Sequence, residues 1–487
     1  MKKSIFFLAA IATLAVTSCR KIEADGDGTG GGNNNGGGSG GGTGSSNTVT
    51  LSGRITTSTT LKKADQNILK GLVYVTNGVT LTVEAGATVR ASFSGTDVAA
   101  LIVSRGGKLV ATGTESEPVV FTSSSPSPRS GDWGGIVLLG KATINSSHLG
   151  TNGLLQVEGG VDNAQGEGLA GSGDAIAPKA LDDDSSGRLS YVRIEYAGYA
   201  FQPDKEINSL TMAGVGNKTV IDHVQVTYGK DDAFEWFGGT VNCKYLVAYK
   251  TQDDDFDTDN GYSGKVQFGL VIRDSVIADI SNSEAFESDN NPTGSTALPK
   301  TSAVFSNITA IGPRATLNNQ GSSLFLAGAH IRRNSALSIY NSIIIGWPTG
   351  ILIDASTGTP TDLNINDSSL RVRFTTIAGS ATPVRYRAST AAPTGATEAS
   401  INAWFTNAAF GNTIVTNTSD ARLIQPFNYA APDPTPFAGS GGYQPILTGA
   451  SFADAKVSSG FEVVTFRGAV GPSGVNNTWY KGWTRFL

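Results

Sequence analysis

A repeated strand-like segment in the middle of the chain limits its fold more than any other feature. Apolar and polar residues alternate within each copy, which is typical of a strand with one buried side. Five segments align on their tyrosines and glycines: SYVRIEY (190–196), DHVQVTY (222–228), CKYLVAY (243–249), SNITAIG (306–312) and YNSIIIG (340–346). The alignment predicts that these segments stack on one another as equivalent strands of a repeat.

A second column of residues repeats beside the first. It consists of phenylalanines that precede acidic residues in AFQPD, AFEWF, DFDTD and AFESD, namely Phe201, Phe234, Phe256 and Phe286, with separations of 33, 22 and 30 residues. Coils of about 22 residues, stacked about 4.8 Å apart with loops inserted at the corners, would produce this series. We therefore expect the four phenylalanines to stack inside the structure.

These repeats predict an all-β fold, a right-handed parallel β-helix with loop insertions at its corners. Long stretches with helical periodicity are scarce, while Val, Ile, Thr and Tyr form short runs punctuated by Gly and Asn. An antiparallel sandwich is the alternative, and it would show Asn-Gly or Asp-Gly hairpins at steady intervals. The terminal NNTWYKGWTRFL, with Trp479 and Trp483, predicts a C-terminal cap over the last coil.

The N-terminal residues predict export and lipid attachment. Residues 1–18 have a basic start and a short apolar run, which is typical of a signal peptide, and VTSC ends at Cys19 like a bacterial lipobox. An ordinary signal peptide with a chance cysteine is the alternative. Residues 19–47 form a Gly-rich flexible tether after the lipidated Cys19, and residues 48–487 form a single β-helix domain. We expect an outer membrane lipoprotein at the cell surface or on the periplasmic face, anchored to the membrane by lipid only.

The net charge limits the partners of the exported protein. The whole chain carries −5, and removal of residues 1–18 with Lys2 and Lys3 changes this to −7. An acidic surface argues against binding of nucleic acid or of anionic lipid and is compatible with cations. Cys243 is the one cysteine besides Cys19, so the domain must rely on its core rather than on an internal disulfide.

Several longer segments resemble a family of exported lipoproteins of Bacteroidetes and related bacteria, which are sometimes labelled "multidrug transporter". The matching segments run from about residue 70 to the C-terminus and include GDWGGIVLLGKA, LSYVRIEYAGYAFQPDKEINSLTMAGVG, DDAFEWFGGTVNCKYLVAYKTQDDDFDTDNGYSGKVQFG and FRGAVGPSGVNNTWYKGWTRFL. The resemblance implies a β-helix fold. It implies no established activity and no catalytic residues.

The stretch QDDDFDTDNGYSG places five aspartates within seven positions, from Asp253 to Asp259. Strand alternation would direct Asp255, Asp257 and Asp259 to one side, where carboxylates of adjacent coils, such as Glu287, lie about 5 Å away. This pattern predicts a calcium site formed by Asp255, Asp257, Asp259 and Glu287. It is only part of an EF-hand loop, because the twelfth position is Val266 rather than Glu. A solvated acidic face is the alternative.

The same face predicts a non-catalytic binding surface for a glycan or another surface protein. Trp236 and Tyr262 would stack on a sugar ring while Glu235 and Asp289 accept hydrogen bonds from its hydroxyls. Burial of the two rings under a corner loop is the alternative. The alternative function is a polysaccharide lyase or glycoside hydrolase, with catalytic carboxylates drawn from Asp232, Asp254, Asp257 and Glu287, and Arg273 or Lys265 as the base of a lyase. GAHIRR, residues 328–333, is interpreted as a corner.

Overall fold

Successive strands of the chain pair in parallel with the strand one coil later. The computed structural model describes residues 46–173, 181–202, 205–318 and 321–487, without the side chains of residues 202 and 205. Within these ranges, 27 strands form one parallel sheet wound into a right-handed β-helix, so the predicted fold class is confirmed. The predicted signal peptide, Cys19 and nearly all of the tether lie outside the described residues.

Each coil of the β-helix has three faces, and several strands continue from the first face onto the second. Strands confined to the first face are Thr59–Leu61, Thr80–Val83, Lys108–Thr112, Ser338–Tyr340 and Arg371–Arg373. Strands that bend from the first face onto the second are Gly187–Glu195, Val220–Thr227, Cys243–Tyr249, Lys265–Ile272 and Val304–Ile311. The bend falls at residues with left-handed backbone, among them Tyr191 (φ 52°) and Tyr245 (φ 60°).

The second and third faces complete each coil. Strands confined to the second face are Thr88–Ala91, Val119–Ser123, Ile343–Ile345, Thr376–Ala378 and Thr413–Val415, while Thr48–Ile55 and Gln66–Val75 continue from the second face onto the third. The third face holds Ala100–Val103, Ile136–Leu139, Leu210–Ala213, Phe234–Phe237, Phe256–Asp259, Ser283–Glu284, Phe286–Ser288, Phe325–Ile331, Thr349–Asp354 and Thr382–Arg387. This third face carries the acidic residues singled out in the sequence.

Smaller elements lie in the loops between the faces. The antiparallel pairs are Ser147–His148 with Thr151–Asn152, Leu154–Gln156 with Leu169–Gly171, Ala200–Gln202 with Lys205–Glu206, and Leu423–Gln425 with Asp433–Pro436. The α-helices are Leu363–Asn366, Glu398–Phe405, Gln444–Thr448 and Val475–Thr478, and the 3₁₀ turns are Gly95–Asp97, Ala408–Phe410 and Thr418–Ala421. Among the described residues, no helix has the length and apolar character needed to span a membrane.

The repeated segments of the sequence stack as predicted, with one shift. Val192 pairs with Val224 and Val224 with Leu246, so CKYLVAY lies one residue out of the predicted alignment. The shift arises because Tyr245, rather than Lys244, occupies the left-handed bend. The strand Lys265–Ile272 forms an additional coil that the sequence alignment missed.

The interior of the third face contains a column of aromatic rings. Phe234, Phe256 and Phe286 pair in register, with ring centroids 5.8 Å and 5.5 Å apart, and all three are buried. Phe201 does not belong to this column, which corrects the sequence-based expectation. Leu210 occupies the position before Phe234, while Phe201 lies in the antiparallel hairpin inserted ahead of it and packs in a peripheral cluster.

The C-terminal segment runs along the side of the coils, where the first and second faces meet. Side-chain amides of the coils bind its backbone in pairs: Gln225 Nε2 donates to Arg485 O and its Oε1 accepts from Arg485 N, both at 2.8 Å. Gln267 makes the same pair with Glu462, both at 2.7 Å, and Asn341 with Ser451 at 3.1 and 2.8 Å.

The position of this segment corrects the predicted cap over the last coil. Trp483 is buried against the ring of Tyr191, which belongs to a middle coil. The last coil is covered instead by the helix Glu398–Phe405, whose Ile401 and Phe405 enter the main core. Asn402 Nδ2 of this helix also donates to Val384 O at 3.2 Å.

The aromatic column predicts a large loss of stability when its central ring is removed. Phe256→Ala should lower the free energy of unfolding by about 3–5 kcal/mol, because deletion of a buried aromatic side chain leaves a cavity in a packed core. Phe201→Ala is the matched control, and it should cost less because Phe201 is only partly buried. Chemical denaturation of both variants checks the difference. Equal losses would contradict the assignment of the two rings.

Candidate cation-binding site

The outer side of the third face holds a ladder of polar side chains in successive coils. Thr211 pairs with Glu235, Glu235 with Asp257, Asp257 with Glu287 and Glu287 with His330. Each of these residues follows a buried apolar residue, which for Glu235, Asp257 and Glu287 is a phenylalanine of the aromatic column, so strand alternation directs it to the opposite side. The parallel register therefore stacks like-charged groups at the spacing of neighbouring strands.

A second row of carboxylates comes from the bends that precede these strands. Asp254 N donates to Asp232 Oδ1 at 2.8 Å, and Glu284 N donates to Asp254 Oδ1 at 2.6 Å. Asp232 and Asp254 thus each accept a hydrogen bond from a backbone N–H of the next coil, which fixes the position of the carboxylate. Asp232 and Asp254 are only 7% and 5% exposed, so their charges lie in a poorly solvated environment.

Three carboxylates converge where the ladder and this row meet. Ligand oxygens of Asp232, Glu235 and Asp257 all lie within 4.8 Å of one another. Two further groups meet the same criterion: Asp231, Asp232 and Asp253 form one, and Glu284, Glu287 and His330 form the other. The first cluster, defined by Asp232, Glu235 and Asp257, is called the carboxylate cluster below.

Neutral oxygen atoms without partners lie next to the carboxylate cluster. Thr211 is 2% exposed, and its Oγ1 has no hydrogen-bond partner although it occupies the ladder position beside Glu235. Asn208 donates from Nδ2 to Glu235 Oε2, while its own Oδ1 is buried and unpartnered. Asp257 Oδ1 is also without a partner. These oxygens are of the kind that bind a hard cation.

Cationic side chains neutralise one end of the ladder and leave the other uncompensated. Arg332 pairs with Glu287 and, through Nε at 2.9 Å, with Asp289 Oδ1. Arg333 Nη1 lies 2.6 Å from Asp289 Oδ2. Across the described part of the chain, no Lys, Arg or His forms an ion pair with the carboxylate cluster.

Burial and mutual repulsion make these carboxyl groups weak acids. Burial, followed by the charges of neighbouring carboxylates, raises the pKa of Asp232, Glu235 and Asp257 well above the usual range. The same causes raise the pKa of Asp231 and of Asp253 to about 8. Without a cation, the cluster therefore holds protons at a pH where carboxyl groups are normally ionised.

His330 lies at the far end of the ladder in a different electrostatic environment. Its Nδ1 and Nε2 lie 3.1 Å from Glu284 Oε1 and from Asp354 Oδ2. Burial acts to lower its pKa, but the hydrogen bonds to Asp354 and Glu284 raise the pKa of His330 to about 9. A cavity of about 150 Å³, lined by His330, Arg332, Asp354 and Arg387 among others, opens beside it.

The structure separates the aspartates of the predicted calcium loop. Asp257 belongs to the carboxylate cluster, but Asp255 lies at the bend before the strand and pairs with Arg273 Nη1 at 3.1 Å, with both side chains fully buried. Asp259 accepts from the N–H of Asn260 at 2.6 Å. The expectation that all three aspartates share one side is therefore wrong for Asp255, because the regular strand begins only at Phe256, whereas Asp257 and Asp259 lie two positions apart within that strand.

The two aromatic rings expected to bind a sugar lie in the core. Trp236 and Tyr262 are fully buried and stack with ring centroids 5.3 Å apart. The Tyr262 hydroxyl donates to Val241 O at 2.8 Å. Their prediction as sugar-stacking residues is wrong, since neither ring reaches the surface. Of the other predicted ligand-binding residues, Glu235 lies in the carboxylate cluster and Asp289 is paired with arginines.

Asp232, Asp254, Asp257 and Glu287, named from the sequence as candidate catalytic carboxylates, lie on or just before strands of the third face, but the sequence-based set leaves out other residues of this region. Asp231, Asp253 and Glu284 are missing from the sequence-based set, although the bends GKDDAF and QDDDF share an acidic pair before the phenylalanine. His330 is also missing, because GAHIRR was interpreted as a corner. Residues 328–331 continue a strand that pairs with Glu287 and Ser288.

Comparison with known proteins agrees with this architecture. The family model described as a pectate-lyase-like β-helix domain matches residues 53–421, about three quarters of the chain, and the matched range contains the whole ladder. No curated protein and no solved structure matches the chain significantly. The match extends over far more than half of the sequence. The chain therefore belongs to the family of pectate-lyase-like β-helix domains.

Proposed function

We propose that the protein is a cell-envelope lipoprotein that binds calcium in the carboxylate cluster and presents this face to a glycan or another surface protein without cleaving it. The observation that carries the proposal is the meeting of three carboxylates within 4.8 Å, two of them buried and that of Asp257 half-buried, with no ion pair from a described Lys, Arg or His to any of the three. Buried charges require a counter-charge or protonation. A bound cation would satisfy all three carboxylates at once.

The donor set favours calcium among the hard cations. Calcium takes six to eight oxygen ligands at variable geometry, whereas magnesium requires a near-ideal octahedron and retains several waters. Asp232, Glu235 and Asp257 supply carboxylate oxygens, and Thr211 Oγ1 and Asn208 Oδ1 are unpartnered neutral oxygens nearby. The group contains no thiolate or imidazole, which argues against zinc or copper.

The proposed attachment to lipid and the proposed location at the outer membrane rest on the N-terminal sequence. Cys19 is the proposed site of lipid attachment, and the Gly-rich residues that follow would hold the β-helix away from the headgroups. A β-helix on such a tether, at the outer membrane, could reach glycans or proteins outside the lipid surface. The cationic cavity beside His330 and Arg332 gives a ligand access to the far end of the ladder.

Cleavage of a polysaccharide is the second candidate function, because the matched family is described by its likeness to pectate lyase. The candidate bases support binding instead. Arg273 is fully buried and paired with Asp255, while Lys265 Nζ donates to Ser459 O at 2.7 Å. Proton abstraction requires a base that reaches the substrate, whereas the Arg273 side chain has no exposed surface and the Lys265 ammonium group is already bound to a backbone carbonyl. Release of reducing ends or unsaturated sugars by the purified protein would favour the enzyme, and loss of that release in Asp232→Asn would assign it to this face.

Calcium should stabilise the native protein. At a free calcium concentration about 100 times its Kd, the free energy of unfolding should rise by about 2.7 kcal/mol, because the ion binds the folded state alone. The variant Glu235→Gln with Asp257→Asn should lose this response. In chelator it should be at least as stable as the wild type, since charge repulsion is removed. Thermal unfolding with calcium and with chelator measures both effects.

Asp97→Asn provides the matched control for this experiment. Asp97 is half-exposed and pairs with Lys70 at 3.1 Å, far in sequence from the ladder, so its removal should leave the calcium response intact. If the melting temperature of the wild type is the same with calcium and with chelator, the calcium site is refuted. A response that persists in the double variant would place the ion elsewhere.

The raised pKa values predict an unusual dependence of stability on pH in chelator. The pKa of Asp231 and of Asp253 is raised to about 8 in the folded protein, and the pKa values of the carboxylate cluster are raised as well, so above the ordinary carboxyl pKa these groups bind more protons in the folded than in the unfolded chain. The free energy of unfolding should therefore fall as the pH rises from about 4 to about 8. Saturating calcium should suppress the fall by competing with the protons. Denaturation at about pH 5 and about pH 8 checks the direction. A rise in stability with pH in chelator would contradict it.

A further inference from the structure

A second cavity lies on earlier coils of the β-helix, where the third face ends. It has a volume of about 360 Å³ and lies between coil corners and the inserted hairpin Leu154–Gln156 with Leu169–Gly171. Because Val75 pairs with Val103 and Val103 with Leu138, the residues that follow these strands reach one corner of three successive coils. This basic cavity is lined by Asn77, Arg105 and Lys141 from that corner, by Arg54, and by Gln165 and Glu167 from the insertion.

One ion pair fixes the rim of the basic cavity. Arg54 Nε lies 3.0 and 2.9 Å from the two carboxylate oxygens of Glu167, and Arg54 Nη2 lies 2.9 Å from Oε1. Asn163 Nδ2 donates to the same carboxylate at 2.8 Å. Ser104 Oγ donates to Glu167 O at 3.0 Å, which fastens the insertion to the coil. The charge of Arg54 is therefore compensated, and the cavity wall is held in place.

Two further cations in the basic cavity have no such compensation. Within the part of the chain that the structure describes, neither Arg105 nor Lys141 forms an ion pair. Among the described residues, Arg105 Nη1 donates to Gly171 O at 3.0 Å. The negative charge of Asp162, which does not line the cavity, acts to raise the pKa of Arg105, but burial has the larger effect and lowers it. Asp162 Oδ1 itself accepts a hydrogen bond from Gly168 N at 2.8 Å. The lining thus carries an excess of positive charge in a protein whose net charge is −5.

The corner is shaped so that the Lys141 ammonium group reaches into the cavity. Gly106 has a φ of +81°, and a Cβ placed there would lie 2.1 Å from Asn77 Oδ1 and 3.0 Å from Lys141 Nζ. A side chain at this position would displace both groups. The absence of a side chain at residue 106 therefore lets the amide of Asn77 and the ammonium of Lys141 approach the backbone of the middle coil.

We propose that the basic cavity binds a small polar anion, a sugar that carries a carboxylate or phosphate group. The Arg105 guanidinium offers paired donors that match the oxygens of either group, and Lys141 adds a second positive charge. The amides of Asn77 and Gln165 can exchange hydrogen bonds with sugar hydroxyls. None of the residues that line the cavity has an aliphatic or aromatic side chain, which disfavours an apolar ligand. Its volume is typical of small-ligand sites.

Binding of glucuronate, glucose 6-phosphate and glucose to the lipid-free protein tests this proposal. Isothermal titration in chelator excludes any contribution from the calcium site and makes the two proposals independent. At least one of the two charged sugars should bind saturably, with an affinity at least tenfold higher than that of glucose. The affinity should fall with added salt, because ion pairing supplies the difference. Which charged sugar binds more tightly identifies the carboxylate or the phosphate as the preferred group.

Single substitutions assign the binding to this cavity. Lys141→Gln should weaken binding of the charged sugar about tenfold or more without a loss of stability, since the ammonium group forms no ion pair with any residue that the structure describes. Arg105→Gln should have at least the same effect. Lys70→Gln removes an exposed charge elsewhere and should leave binding unchanged. Failure of both charged sugars to bind at millimolar concentration, equal binding of glucose, or unchanged binding in both cavity variants would overturn the proposal.

Discussion

The in-register parallel pairing of successive coils is the constraint on which the rest of the structure depends. Because each coil repeats the direction and the register of the one before it, a residue stacks on its equivalents about 4.8 Å above and below. Phe256 thus lies between Phe234 and Phe286, and Asp257 lies between Glu235 and Glu287. The same geometry concentrates apolar surface inside the coil and negative charge outside it.

These two columns have opposite effects on stability. The rings gain from stacking, whereas the carboxylates repel one another and lose solvation beneath the loops. The structure resolves this conflict in two ways along one ladder. At the far end, Arg332 pairs with Glu287 and His330 with Glu284, and these cations compensate the acidic groups. Among the described residues, no cationic side chain forms an ion pair with the carboxylate cluster, so protons or an external cation would have to supply the positive charge there.

The sequence was sufficient for the fold and for the position of the acidic face, because stacking makes the repeat visible in the order of residues. It was insufficient wherever the chain leaves the repeat. Phe201 lies in an inserted hairpin, and Asp255 precedes the regular strand, so alternation could place neither residue. Trp236, by contrast, follows the alternation set by Phe234 and is buried, so its predicted exposure contradicted a rule already in use. The hydrogen-bond partners of the C-terminal segment are up to 290 residues away and leave no local signal.

The amide pairs that hold the C-terminal segment have a consequence for the order of folding. Contacts between neighbouring coils join residues about one coil length apart in the sequence, such as Asp232 and Asp254, which are 22 positions apart. The stack can therefore grow from local contacts. The contacts of Gln225 with Arg485 and of Gln267 with Glu462 join residues 260 and 195 positions apart. Contacts of such separation form slowly, since a long loop must close first. Docking of this segment is therefore expected to be a late step, which locks coils that have already assembled.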